Sequence, residues 1–233
     1  MGSTTGLGGG HSVAMSKTPF KPWIQRICPA PRRLLQALIV RDGLRIGLDI
    51  GCGEASPLSD LRKWGFRSTG LDVSSARLEV SRQRGLHDDY FLGDIRQLTF
   101  EHRFDVVVLS NVIEHFSRED GTDLLRRVEG LASRIVYIET PNGFREQPDL
   151  NGDPAQRHFS GWFPHDFEGR GYTVLGSGIR GLRGVAGQAR IFPESIVRFV
   201  ERSLQWFVFR RPRWAGTLAA ILRRDERGNL LRV

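Results

Sequence analysis

The feature that most limits what this chain can fold into is a rhythm that begins at residue 44. Short apolar runs alternate with helical patterns: LRIGLDI (44–50) precedes PLSDLRKWG (57–65), RSTGLDV (67–73) precedes SARLEVSRQRG (75–85), and FDVVVLS (104–110) precedes REDGTDLLRRVEGLA (118–132). Runs this apolar, without polar alternation, suit strands buried on both faces. Strands that alternate with helices imply a parallel sheet sandwiched between helices. Further strands are predicted at DYFLGDI (89–95), SRIVYIE (133–139), YTVLGSGIRG (172–181) and AGTLAAILRRDE (215–226). The last two lack a short crossover, which points to an antiparallel edge. The expected fold is therefore α/β, with seven strands, mostly parallel, and helices on both faces.

The chain has 233 residues, enough for one sizeable core. Residues 1–16, rich in Gly, Ser and Thr, are expected to form a disordered tail, and 17–43 a helical N-terminal segment. In that segment Leu34, Leu35, Leu38 and Ile39 share a helical face, with prolines at the entry and Gly43 at the stop. Residues 44–233 are expected to form the main domain. The stretch 181–213 breaks its rhythm and reads as an insertion between the last two strands. Ser117, with Asp120 three positions on, predicts a helix N-cap with an acidic form of the capping box. The polar loop 144–160 is long enough to be expected as a mobile lid.

No run approaches the roughly 20 apolar residues of a membrane span, and the first residues match neither a signal peptide nor the myristoylation pattern, where Gly6 stands in place of Ser or Thr. Two cysteines, Cys28 and Cys52, are too few for a disulfide framework and fit a cytoplasmic location. The net charge of +8 is carried mostly by arginine, because lysine occurs only at 17, 21 and 63. Such a balance attracts phosphates of RNA, lipid or substrate, unless it merely reflects genomic base composition.

Chemistry enters at GLDIGCGEASPL (47–58). Glycines at 51 and 53, between a strand and a helix, let a ligand approach the backbone, and alone they are a weak signal. Asp72 ends the next strand, about 20 residues on, where an acid meets ribose hydroxyls. Asp94 ends the third strand on the same carboxyl rim. Asp49 decides which nucleotide: it falls where a pyrophosphate would sit, and two like charges about 4 Å apart repel by roughly 4 kcal/mol at an effective dielectric near 20. Ser56 replaces the third dinucleotide glycine and no Walker lysine follows. An acid here suits a cationic cofactor, one with an amino group and a sulfonium.

The segments LDIGCGEA, LDVS, GDI and FDVVVLSNVIEHF resemble, in order and spacing, the successive motifs of class I S-adenosylmethionine-dependent methyltransferases, in particular the small-molecule type that includes quinone-biosynthesis enzymes. Asp49, Gly51, Cys52 and Gly53 match the glycine-rich motif, and Ala55 replaces its last glycine. The resemblance implies a Rossmann-like sheet that binds S-adenosylmethionine and releases S-adenosylhomocysteine. It puts the Asp49 region against the methionine moiety, Asp72 with Val73 against the ribose, and Asp94 with Ile95 against the adenine. Ser110 and Asn111 would face the methionine part or the acceptor.

The expected acceptor is a small molecule: a sugar, a lipid-linked compound or a natural-product intermediate. SNVIEHF stands where amino-methylating nucleic-acid enzymes carry Asn/Asp-Pro-Pro-Tyr, which argues against DNA bases. An RNA methyltransferase, or a non-catalytic cofactor-binding protein of the same fold, remains the alternative. His115 and His158 are the candidate bases, and His165 reads as a surface residue. The pair Glu114-His115 is too little for a metal site, so none is expected. Phe159, Trp162 and Phe163 could wall the acceptor pocket or pack beneath the sheet. In 193–214, Ile196, Val197, Val200, Leu204 and Phe207 fall along one helical face, ringed by Arg198, Arg202, Arg210, Arg211 and Arg213, with Trp206 and Trp214 close by. That composition suits peripheral contact with an anionic membrane, or packing on the domain or on a second subunit.

Overall fold

A computed structural model describes residues 30–149, 154–184, 188–189 and 192–233, so the tail over 1–16 lies outside the described residues. Helix α1 (Pro31–Arg41) starts on a proline and buries Leu35, Leu38 and Ile39. Then follow β1 (Ile46–Ile50), β2 (Arg67–Asp72), α2 (Ser75–Gln83), β3 (Asp89–Leu92), β4 (Phe104–Ser110), α3 (Arg118–Leu131) and β5 (Ala132–Pro141). The last elements are α4 (Pro164–Glu168), β6 (Thr173–Ile179), α5 (Glu194–Arg210), β7 (Ala215–Arg224) and the two-residue β8 (Leu230–Leu231).

The strands form one sheet in the order β3-β2-β1-β4-β5-β7-β6, with β8 paired to β7. The first five are mutually parallel. The antiparallel strand is β7, which inserts between β5 and β6 and leaves β6 outermost on that side. Each buried strand serves two layers. On β4, Val107 and Leu109 join Leu124, Leu125 and Val128 of α3, while Val106 and Val108 meet Leu35, Leu38 and Ile39 of α1.

One predicted helix takes another form: PLSDLRKWG yields a single 3₁₀ segment, Ser59–Trp64, stopped by Gly65 at φ 75°. Between Pro57 and Gly65 there are too few residues to offset the cost of nucleating an α-helix. At the start of α3, the Ser117 hydroxyl oxygen accepts from the Asp120 N–H, and its O–H donates to the Asp120 carboxylate. The cap is present, but the Asp120 side chain answers the hydroxyl, where a reciprocal capping box would use the backbone N–H.

Strand order reverses at β1, which lies between β2 and β4. The connections leaving β1 and β4 therefore diverge, and a crevice opens at their carboxyl ends, the place where open α/β sheets bind ligands.

Candidate functional site

The crevice is a cleft of about 230 Å³. Its floor is Ile50, Gly51, Leu71 and Asp72, and Val73, Asp94 and Ile95 form one wall. Asn111, Val112, His115 and Phe116 form the other wall, and Ala155 and Gln156 of the 144–160 loop reach its mouth.

Gly51 is required twice over. It sits at φ +67°, and a Cβ there would lie 2.4 Å from Val112 Cγ2, so the turns after β1 and β4 can touch only across a glycine. The Gly53 N–H donates to Asp72 Oδ2 at 3.0 Å, and the Ser74 N–H donates to Asp72 Oδ1 at 2.9 Å. Asp72 thus braces the glycine turn, while each oxygen keeps a second lone-pair direction for a ligand hydroxyl. The cap of α2 is the Ser74 side chain, which accepts from the Arg77 N–H. Asp94, beyond the end of β3, is held by Arg96 at 2.6 Å, and this hydrogen bond keeps its carboxyl below the usual range.

Four residues expected at the cofactor do not line the cleft with their side chains. Asp49 is buried behind the turn, where the Ser56 hydroxyl donates to its Oδ2, and among the described residues its Oδ1 has no hydrogen-bond partner. Burial pushes its pKa up to about 7. His87 Nε2 lies 3.6 Å from the same carboxylate, and burial lowers the His87 pKa to about 4, so at neutral pH the ring is uncharged. Cys52 turns into the core, with Sγ 3.8 Å from Ser81 Oγ, and burial raises its thiol to about 12. Gly53 serves through its N–H. Ser110 accepts from Arg32 at 3.2 Å on the α1 side of the sheet, where Arg32 also pairs with Glu139 at 2.8 Å. Alternation along β4 explains this: Ser110 points to the layer opposite Leu109.

The residues after β4 turn sharply. Asn111 adopts φ 54°, a left-handed conformation that Asn tolerates better than most residues, and the 3₁₀ turn Ile113–His115 follows. This brings Glu114 under the 144–160 loop, where its carbonyl accepts the N–H groups of Phe159 and Ser160 at 2.9 and 3.1 Å. The two candidate bases come together here, with the His115 and His158 rings 4.9 Å apart between centroids. Their Nδ1 atoms lie 2.9 Å from the Arg157 carbonyl and 2.7 Å from the Arg145 carbonyl. The Glu114 side chain is 2 % exposed, accepts from Thr140 Oγ1 at 2.9 Å, and has its pKa raised to about 7 by burial. Ligand-type atoms of Glu114, His115 and His158 lie within 4.8 Å of one another, a cluster that sequence reasoning missed. The adjacency of Glu114 and His115 was its only local signal; His158 arrives from more than 40 positions away.

Trp162 packs in the core, its ring under the Arg118 guanidinium and its Nε1–H on Ser160 Oγ at 2.9 Å, so it does not wall a pocket. Phe159 is exposed and Phe163 partly so. His165 lies at the surface, as the sequence suggests.

Comparison with known proteins bears on the fold that carries this cleft. Residues 48–134 match a family model described as a methyltransferase domain. A ubiquinone biosynthesis O-methyltransferase of Rickettsia bellii is 27% identical over 129 residues, 52% of each chain. One of Pasteurella multocida is 36% identical over 83 residues, 29% of this chain and 34% of its own. The chain spans about half the length of the first of these relatives. Among solved structures, the plantazolicin methyltransferase BpumL superposes with a TM-score of 0.51 at 16% identity, over 82% of this chain and 80% of its own. A Burkholderia thailandensis 1,6-didemethyltoxoflavin-N1-methyltransferase with bound S-adenosylhomocysteine gives 0.50 at 16%, over 83% and 78%. At such identities the shared property is the fold.

Proposed function

We propose that this class I S-adenosylmethionine-dependent methyltransferase alkylates a hydroxyl of a small, partly apolar acceptor at the carboxyl rim of its sheet. The observation that carries the reading is a glycine turn backed by the buried carboxylate of Asp49, at the foot of a cleft whose lining includes Asp72 and Asp94. The residues fit the donor. Leu71, Val73 and Ile95 offer apolar surface to a purine, Asp72 offers lone pairs to ribose hydroxyls, and Asp49 lends negative potential behind the turn for a cationic methionine tail. Bound there, S-adenosylmethionine supplies an electrophilic methyl carbon on a positively charged sulfur. The protein's own contribution is proximity and alignment. A hydroxyl acceptor must lose its proton, and the Glu114–His115–His158 cluster at the cleft margin supports that step. The O-methyltransferase names of the relatives favour oxygen, and sugars, lipid-linked compounds and natural-product intermediates are the candidate acceptors.

Calorimetry with S-adenosylmethionine tests the donor site. Wild type should bind one equivalent and Asp72→Ala should bind at least tenfold more weakly, since a lost hydrogen bond to a buried carboxylate is worth about 1.5–3 kcal/mol. Labelled methyl should then appear in phenolic or catecholic probes. Absence of donor binding by wild type would sink the activity, and unchanged affinity in the variant would sink the role of Asp72.

The same reading includes contact with an anionic membrane through 193–214. Helix α5 buries Val197, Gln205 and Val208 against the domain but leaves Ile196, Phe199, Leu204, Trp206 and Phe207 exposed. The expected single apolar face thus divides, and most of it faces outward. Arg210, Arg211 and Arg213 lie over the rings of Trp206, Phe207 and Trp214, and the three arginines share a groove with Arg180. Five arginines against two glutamates favour a negative surface, each basic residue there worth about 1 kcal/mol. Among the described residues no helix is long and apolar enough to cross a membrane. The protein should sediment with vesicles of equal parts phosphatidylglycerol and phosphatidylcholine, and be released by salt or by Phe199→Asp with Trp206→Asp. Binding to RNA with no binding to vesicles would overturn the membrane reading.

A further inference from the structure

We propose that Glu114, His115 and His158 bind one divalent transition-metal ion, of the zinc, iron(II) or manganese class, on the acceptor side of the cleft. Two imidazoles and one carboxylate form a donor set suited to these ions, with positions left open for water or substrate.

Three observations carry the inference. First, the three side chains bring ligand-type atoms within 4.8 Å of one another. Two ligands of one tetrahedral ion, each about 2.1 Å away, stand roughly 3.4 Å apart. Movements below 1 Å by each side chain close that difference. Second, Glu114 is almost wholly buried, yet its Oε1 has no hydrogen-bond partner among the described residues. Its Oε2 is already oriented by Thr140. The charge of Arg145 reaches Glu114, but the Arg145 guanidinium donates to the Gly216 carbonyl at 3.2 Å. Third, both histidines are set as ligands commonly are. A backbone carbonyl only accepts, so the Nδ1 atoms facing Arg157 O and Arg145 O must carry the protons. In the neutral rings the lone pair is then on Nε2, and an outer carbonyl that fixes the tautomer is the usual second partner of a metal-bound imidazole.

Only the consequence of binding rests on the methyl-transfer reading. One carboxylate and two neutral imidazoles leave a divalent ion with a net charge of +1. An acceptor hydroxyl reaching an open position would be acidified and lose its proton to solvent, and its oxygen would take the donor's methyl carbon as the carbon–sulfur bond breaks and S-adenosylhomocysteine leaves. His115 lines the cleft, so the ion would adjoin the donor site.

Cobalt(II) serves as the probe, titrated into chelator-treated full-length protein and followed by its visible d–d absorption. Wild type should bind one equivalent, displaced by zinc. Glu114→Gln and His158→Ala should each weaken binding at least tenfold while retaining S-adenosylmethionine affinity by calorimetry. If either variant fails to fold, His158→Gln, at a position outside the cleft lining, gives the same comparison. No stoichiometric binding by wild type, or unchanged binding in folded variants, would overturn the site. The two readings fail separately: donor binding without metal binding rejects the ion alone, and metal binding without donor binding rejects the methyltransferase reading.

Discussion

Asp49 lies at the penultimate position of an apolar strand, 1 % exposed, and burial lifts its pKa to about 7 against the opposing effects of the Ser56 hydrogen bond and Arg32. A cationic ligand favours the ionised form, so donor binding near pH 7 should expel part of a proton, and affinity should fall as pH drops below 7. Calorimetry in two buffers of different ionisation enthalpy checks this: the apparent enthalpies should differ for wild type and coincide for Asp49→Asn. Coincidence in wild type would remove Asp49 from the donor's partners. At this scale the sequence was readable where a backbone conformation demands one residue type, as at Gly51, or where a charge excludes a ligand, as at Asp49. It was not readable for Ser110, whose hydroxyl is claimed by Arg32 from a helix 78 positions away.

Elements meet this sheet through a few close approaches. Helix α5 crosses β6 where a Cβ on Gly176 would stand 2.3 Å from the Val208 carbonyl oxygen and 2.7 Å from Ala215 Cβ. Gln205 fastens the same crossing, donating to Gly176 O at 3.1 Å and accepting from the Gly178 N–H at 3.3 Å. Gly176→Ala must move backbone, at a cost of about 1–3 kcal/mol. In a chain of this size that lowers the melting temperature by roughly 2–4 °C per kcal/mol. Gly130→Ala is the counterpart: it lies within α3 with nothing near its would-be Cβ, and should raise stability by about 0.5–1 kcal/mol. Thermal melts that rank the variants otherwise would contradict this account of how α5 is docked. Strand positions were legible because a doubly buried strand is a continuous apolar run. The outward apolar face of α5 was not, because periodicity identifies a stripe without saying what covers it.

Across the molecule, the buried titratable groups make stability depend on pH in opposite senses. Asp49 has a folded pKa above the unfolded value near 3.8, so its contribution is fully present below about pH 4 and is lost as pH rises toward 7. His87 has a folded pKa below its unfolded value near 6.5, so its contribution is present above that value and lost as pH falls through about 4. Asp49→Asn should therefore gain stability relative to wild type as pH rises from 4 to 7, and level off above. Denaturant titrations at several pH values check the slope, and a difference independent of pH would mean that Asp49 titrates normally.

The sequence by itself determined the order of strands and helices, the helix caps, the glycine turn and the sign of charge behind it. Each depends on residues within a few positions of one another, where periodicity, backbone conformation and Coulomb repulsion act locally. Only the tertiary structure decided that β7 inserts between β5 and β6, that Arg32 takes Ser110 and Glu139, and that His158 returns to Glu114 and His115. The pairing of Arg32 with Glu139 alone joins positions 107 apart, and what selects such pairings is the packing of whole layers, which no short window of sequence contains.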